Sequence, residues 1–128
     1  MKTDLAREFV NDPQAQQAAE LIRACVHCGF CSATCPTYQL LGDERDSPRG
    51  RIYLIQQMLE GQPVTRTTQQ HLDRCLSCRA CESTCPSGVQ YAHLLDIGRA
   101  MVEQRVPRPA AERYRRALLG RVLPDARL

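Results

Sequence analysis

Eight cysteines fall into two identical runs. Cys25, Cys28, Cys31 and Cys35, followed by Pro36, have the spacing C-x-x-C-x-x-C-x-x-x-C-P. Cys75, Cys78, Cys81 and Cys85, followed by Pro86, repeat it fifty positions on, and no cysteine is left over. Four thiols on one loop can hold zinc, an iron–sulfur cluster or each other. Structural zinc favours paired C-x-x-C units at long spacing. A third cysteine three residues further on, and a fourth before proline, is the run that holds [4Fe–4S] clusters. Two such clusters, with all eight cysteines as metal ligands, are the reading; zinc and disulfides stand as alternatives.

In two-cluster ferredoxins the fourth cysteine of each run ligates the other run's cluster. Applied here, the first cluster takes Cys25, Cys28, Cys31 and Cys85, and the second takes Cys75, Cys78, Cys81 and Cys35. Three closely spaced cysteines cover three corners of a cube, and the fourth corner points back towards the other run. The runs differ at positions that could tune a potential: His27 matches Ser77, and Gly29-Phe30 matches Arg79-Ala80. Nearby charge shifts cluster potentials; Arg79 raises that of the second cluster and Glu82 opposes it, so no order follows. With four thiols per cluster, His27 is expected at the surface, and His71 and His93 have no partner pattern.

The elements that must position these runs read as helices. Asp12-Pro13 is a helix start, with a side-chain acceptor at the N-cap and a ring without an N–H at the first helical position. It predicts a helix from Pro13 to Ala24 that delivers Cys25, with Ala18, Leu21 and Ile22 on one face. Gly29 allows positive φ inside the loop, and Thr37 to Asp46 reads as an irregular connection. Ser47-Pro48 starts a second helix, ended by Gly61, with Ile52, Ile55 and Leu59 in one apolar line. Arg49 and Arg51 fall in its first turn, where the dipole disfavours cations by about a few tenths of a kcal/mol each at exposed sites. Either both face solvent, or one faces a cluster or a partner's carboxylate.

Thr67 with Gln70 has the form of a capping box and places a third helix near Thr67 to Arg74, delivering Cys75. Ser87 with Gln90 repeats the form and predicts a helix from Gly88 to Val106, with Tyr91, Leu94, Leu95, Gly98, Met101 and Val102 inward. A last helix is expected from Pro109 to Gly120, with a thin apolar side of Ala110, Tyr114, Ala117 and Leu118. No period-two stretch is long enough for a strand. Aligned by cysteines, Ile22 matches Leu72, Val26 matches Leu76 and Thr34 matches Thr84, which implies a pseudo-two-fold repeat.

At 128 residues, with 43% apolar and 24% charged side chains, the chain is the size of one domain and is neither disordered nor membrane-spanning. Six Phe and Tyr and no Trp make a thin core, which metal binding would staple. The N-terminus has no signal-peptide pattern and no run approaches a membrane span. Clustered free thiols then point to a reducing, cytoplasmic setting. Residues 99–128 hold eight Arg against three acidic residues. This reads as a solvated helix face or as a docking patch for a partner or an anionic membrane surface. Nothing supports nucleic-acid binding. No phosphate loop, nucleophile triad or nucleotide fingerprint is present, so there are no catalytic residues, and the chain alone is expected to move electrons rather than convert a substrate.

The stretches RACVHCGFCSATCPTYQLLGDERDSPRGRIYLI and HLDRCLSCRACESTCPSGVQYAHLLDIGR, with the connection between them, resemble the N-terminal part of the glycolate oxidase (glycolate dehydrogenase) iron–sulfur subunit family over about residues 18–106. The cysteine runs are shared by many helical ferredoxins; the CPTY and PRGRIYLI segments make the resemblance narrower. It implies an all-α fold, an α-helical ferredoxin with two cluster-binding loops, over residues 1–106. Residues 107–128 become a basic helical linker into a C-terminal region that family members carry. A chain stopping at Leu128 is thus expected to be a fragment or a shortened product. The resemblance also implies flavin-containing partner subunits that oxidise glycolate to glyoxylate. Two [4Fe–4S] clusters would relay the electrons towards a quinone-type acceptor, peripherally at the inner face of the cell membrane. Alternatives are an iron–sulfur subunit of a lactate or glycerol-3-phosphate dehydrogenase or of a heterodisulfide-reductase-like complex, and a free-standing ferredoxin.

Overall fold

Asp12 begins the first helix as its side chain dictates: Oδ1 accepts from the backbone N–H groups of Gln14 and Ala15. In the computed structural model, which describes residues 1–124, this helix α1 spans Pro13–Arg23 and hands the chain on to Cys25. A single turn α2 (Phe30–Ala33) lies inside the first cysteine run, and α3 (Pro36–Leu41) follows it. A 3₁₀ turn (Glu44–Asp46) precedes α4 (Pro48–Leu59). Next come α5 (Arg66–Asp73), the short α6 (Ala80–Thr84), the long α7 (Tyr91–Arg105) and α8 (Ala110–Val122). Among the described residues there is no strand.

Helix α7 is the spine, packed against α1, α4 and α5. Leu94, Leu95, Met101 and Val102 meet Ile22, Ile55, Leu59 and Leu72 in the core, all buried. Each such side chain stabilises the fold by about 1.5–3 kcal/mol through removal from water. The crossing of α4 and α7 is close because residue 98 is glycine: a Cβ there would lie 2.6 Å from Ile55 Cδ1.

Four expectations are corrected. The stretch 37–46 is not irregular: Pro36, its φ preset, serves as the first residue of α3, and Gly42 ends that helix at φ 67°. Helix α5 starts earlier, capped by Thr65, whose hydroxyl accepts from Thr68 N–H, rather than by Thr67. Helix α7 starts at Tyr91 rather than Gly88, because Gly88 is left-handed (φ 66°) and neither Ser87 nor Gln90 gives a side-chain cap. Gly120 lies inside α8, which runs on to Val122.

Helix α8 buries none of its side chains. It is held to α5 and α7 by charge. Arg108, 5% exposed, donates to Asp73, Glu103 and Glu112, and Arg116 also reaches Asp73 and Glu112. Arg105 stacks over the Phe9 ring at 4.4 Å. The basic C-terminal stretch is therefore partly consumed in internal pairs rather than being a uniformly solvated face.

Candidate metal centre

The two cysteine loops are built alike from the backbone outward. Each begins where a helix ends. Cys25 N–H donates to Ile22 O at 2.9 Å, and Cys75 N–H to Leu72 O at 3.3 Å. The carbonyls left over at these helix ends are met by cations. The Met1 ammonium donates to Ile22 O and, at 2.6 Å, to Cys25 O. The Arg99 guanidinium donates to Leu72 O and, at 2.7 Å, to Cys75 O. Each loop then turns through two left-handed residues: His27 (φ 60°) and Gly29 (φ 84°) in the first, Ser77 (φ 56°) and Arg79 (φ 61°) in the second. Only one of these four is glycine, so three side chains are held in a strained conformation at the loops, as is common at ligand-binding sites.

After the second left-handed residue each loop enters a short helix, α2 or α6, and these two pack against each other. That contact brings the runs together. One cleft, about 430 Å³ of empty space including its open mouth, is lined by Cys25, Cys28 and Cys31 of the first run and by Cys85 of the second. The other, about 380 Å³, is lined by Cys75, Cys78 and Cys81 of the second run and by Cys35 of the first. Cys81 also borders the first cleft. No cysteine is in a disulfide; Cys28 and Cys78 are exposed, and Cys25, Cys35 and Cys81 are buried. Burial pushes the Cys81 thiol up to about 12, with the nearby Cys75, Cys31 and Cys35 adding to the effect. Burial likewise raises Cys31, against the backbone N–H of Arg49, which favours its thiolate.

Donors are already aimed at the sulfurs. His27 N–H donates to Cys25 Sγ at 3.4 Å and the Tyr91 hydroxyl to Cys75 Sγ at 3.7 Å. Burial, and then the adjacent Cys75, hold the Tyr91 phenol well above its ordinary range, so it stays a donor. Thr37 Oγ1 lies 3.2 Å from Cys35 Sγ and Arg51 Nη1 3.9 Å from it. The N-terminus of α4 stands between the clefts: Pro48 borders both, Arg49 and Ile52 the first, Arg51 the second. A helix N-terminus favours anions. Eight thiols gathered as three plus one, with donors and a helix N-terminus facing them, suit an anionic thiolate-held metal group.

The first-turn arginines differ. Arg49 pairs with Glu44 at 2.7 Å and remains partly exposed. Arg51 is fully buried, which rules out the alternative in which both arginines face solvent. It donates to His71 O at 2.7 Å and to Thr37 Oγ1 at 3.1 Å, and reaches Asp46 Oδ1 at 3.5 Å. Asp46, equally buried, also takes His71 Nδ1 at 2.9 Å and Arg74 at 3.0 Å. Sequence reasoning gave His71 no partner and passed over Asp46; the signal was an acidic residue directly before the Ser47 N-cap. Asp43, Asp46 and His71 lie close enough to suggest a cation site, but two guanidiniums already occupy the Asp46 carboxylate. Gly50 was missed too: any Cβ there would collide with the Glu44 carbonyl. His27 is exposed as expected; its pKa is lowered by desolvation first and then by Arg49, and its Nδ1 lies 3.0 Å from Met1 Sδ.

Helical loops presenting cysteines in this arrangement define an iron–sulfur domain of the ferredoxin-like kind. The chain belongs to the 4Fe-4S dicluster domain family, which it matches over residues 21–89. It is 64% identical over 124 residues to the glycolate oxidase iron-sulfur subunit of Escherichia coli (strain K12), covering 97% of this chain and 30% of that one. It is 43% identical over 94 residues to the probable glycolate oxidase iron-sulfur subunit of Bacillus subtilis (strain 168), covering 72% of this chain and 21% of that one. The chain thus spans less than a third of the curated relatives it matches. No solved structure matches it. Among the described residues no helix is long and apolar enough to cross a membrane.

Proposed function

We propose that this chain holds two [4Fe–4S] clusters and carries electrons one at a time within a flavin-dependent 2-hydroxy-acid dehydrogenase, with glycolate, oxidised to glyoxylate, as the substrate of the complex. The observation that carries the reading is the composition of the clefts: each is lined by the first three cysteines of one run and the fourth of the other, with Cys81 bordering both. It supports crossed ligation: Cys25, Cys28, Cys31 and Cys85 for one cluster, Cys75, Cys78, Cys81 and Cys35 for the other. When bound, the clusters supply one-electron redox chemistry at potentials set by charge, hydrogen bonds and exposure.

The chain's own residues do the rest. The cysteines bind as thiolates and release their protons on loading. Tyr91, Thr37 and the His27 N–H orient individual sulfurs. Pro48, Ile52 and Val89 form part of the apolar wall of the first cleft. The names of the relatives support glycolate and imply other subunits; a flavoprotein partner, a quinone-type acceptor and attachment at the inner face of the cell membrane belong to this reading. The exposed Arg113, Arg115 and Arg121 of α8 are available for such docking.

The test is iron analysis with EPR of the Cys35→Ser and Cys85→Ser proteins, each prepared without oxygen. Crossed ligation requires Cys35→Ser to lose the signal that Cys75→Ser also loses, and Cys85→Ser the one that Cys25→Ser loses. The same signal lost by Cys35→Ser and Cys25→Ser refutes the crossing. Colourless protein containing zinc refutes the redox reading. Co-purification with a flavoprotein that oxidises glycolate, rather than lactate or glycerol 3-phosphate, tests the substrate. A loaded protein without any flavoprotein partner would be a free-standing ferredoxin.

A further inference from the structure

Arg51 shares its carboxylate partner with another guanidinium. It is buried, and its one carboxylate, Asp46, is 3.5 Å away, shared with Arg74 at 3.0 Å and with the His71 ring. Asp46 thus faces two guanidiniums, of which Arg74 is 40% exposed and met also by solvent, whereas Arg51 is buried. A buried charge is costly unless it is paired, and with Asp46 shared, a further anion beside Arg51 would be favoured. The sulfur of Cys35, 3.9 Å from Arg51 Nη1, stands where that anion belongs.

The first cleft is balanced differently. Arg49 is matched one to one by Glu44 at 2.7 Å. The cations at the loop ends, the Met1 ammonium on Cys25 O and Arg99 on Cys75 O, occupy matching places and offset each other. Arg79, beside the second cleft, is paired with Glu82. What distinguishes the clefts is Arg51: no other cysteine sulfur among the described residues takes a hydrogen bond from a side-chain cation.

We propose that Arg51 is a tuning residue. Its guanidinium, 3.9 Å from Cys35 Sγ, raises the reduction potential of the cluster that Cys35 helps to hold above that of the other. Electrons then settle on the Cys35 side. Thr37 assists: its hydroxyl accepts from Arg51 Nη2 at 3.1 Å and lies 3.2 Å from Cys35 Sγ and 3.3 Å from the Asp46 carbonyl, so that its one hydrogen serves the sulfur or the carbonyl. The inference rests on the two-cluster reading with Cys35 as a ligand, and it gives Arg51 a role that the helix position alone argued against.

The experiment is a dithionite potentiometric titration followed by EPR on the full loaded chain, with the Cys35-side signal identified as the one lost in Cys35→Ser. In Arg51→Gln the reduction constant of that signal falls tenfold or more, which is 59 mV for a one-electron couple, and the other signal stays in place. Thr37→Val, nearly isosteric, shifts the same signal in the same direction by less. Asp46→Asn, which frees Arg51 of its counter-charge, shifts it the opposite way. If Arg51→Gln does not load, Thr37→Val and Asp46→Asn decide by their opposite signs, which mere loosening of the site would not produce. Unmoved potentials, or equal movement of both signals, overturn the role of Arg51 while leaving two loaded clusters. Absence of both signals from the unaltered protein overturns the underlying reading as well.

Discussion

Glu82 caps a helix to which it does not belong. Its Oε1 accepts a 2.7 Å hydrogen bond from the backbone N–H of Ala92, in the first turn of α7, while Oε2 takes Arg79 at 2.9 Å. One carboxylate therefore ties the second cysteine loop to the spine of the fold. Glu82→Ala should cost about 1 kcal/mol, the scale of a lost N-cap, read by denaturant unfolding of the cluster-free protein. Burial disfavours the ionised carboxyl, but the Ala92 N–H and Arg79 outweigh it and hold the pKa below the ordinary 4.5. The sign follows from a depressed carboxylate: its contribution is present in full above about pH 4.5 and is lost as pH falls through the lower folded value. The stability difference between Glu82→Ala and the unaltered protein should shrink on acidification. A constant difference would show that the charge plays no part.

Gly50 is where the 3₁₀ turn rests on α4. A methyl group would collide with the Glu44 carbonyl, which is backbone and cannot swing aside. Gly50→Ala should destabilise by about 1–3 kcal/mol, the range for overpacking, and should push Asp46 away from Arg51. Reduced iron retention on the Cys35 side would accompany the loss. Stability within about 0.5 kcal/mol, the range of neutral surface changes, would show that the turn can slide.

Arg79 sits at φ 61°, where its counterpart Gly29 sits at φ 84°. Left-handed backbone costs a non-glycine residue about 1–2 kcal/mol, more than an i,i+3 ion pair returns at about 0.2–0.5 kcal/mol. Arg79→Gly should therefore stabilise the cluster-free protein by about 1 kcal/mol despite losing Glu82. Gly29→Ala should do the reverse, since its Cβ would also press on the Arg49 guanidinium. Matched urea titrations of both variants give the answer.

Thiol reactivity should follow burial. The thiolate is the nucleophile; Cys28 and Cys78 are exposed, whereas Cys81 is buried and raised to about 12. Brief iodoacetamide treatment of iron-free protein at neutral pH should label Cys28 and Cys78 well before Cys81, as read by peptide mass spectrometry. Early labelling of Cys81 would mean that the clefts open when empty.

What could be read from the sequence was local. Asp12-Pro13 and Ser47-Pro48 carry their helix starts in their own side chains, and both helices begin at those residues. Positive φ at Gly29 needed only the residue type. The misreadings were at places where the deciding partner is distant or has no local form. The start of α7 follows Gly88 and a carboxylate from α6, not the Ser87–Gln90 pattern. Arg51 resembled any first-turn arginine until Asp46, the Thr37 hydroxyl and the His71 carbonyl were brought round it. The cysteine spacing suggested a three-plus-one grouping, and the cleft linings are compatible with it, yet which side chains charge each cleft depends on α4 lying between them, and no spacing encodes that.

The makeup of the clefts also sets an order of events during synthesis. Cys25, Cys28 and Cys31 leave the ribosome early, but their cleft lacks its remaining wall until Cys85, the last cysteine of the chain, has followed. Cys35 likewise waits for Cys75, Cys78 and Cys81. A nascent chain shorter than this offers only open thiols. Neither compartment is finished before the other has nearly all its parts, so under the proposed crossed ligation metal can be delivered to complete sites only after the second loop has emerged.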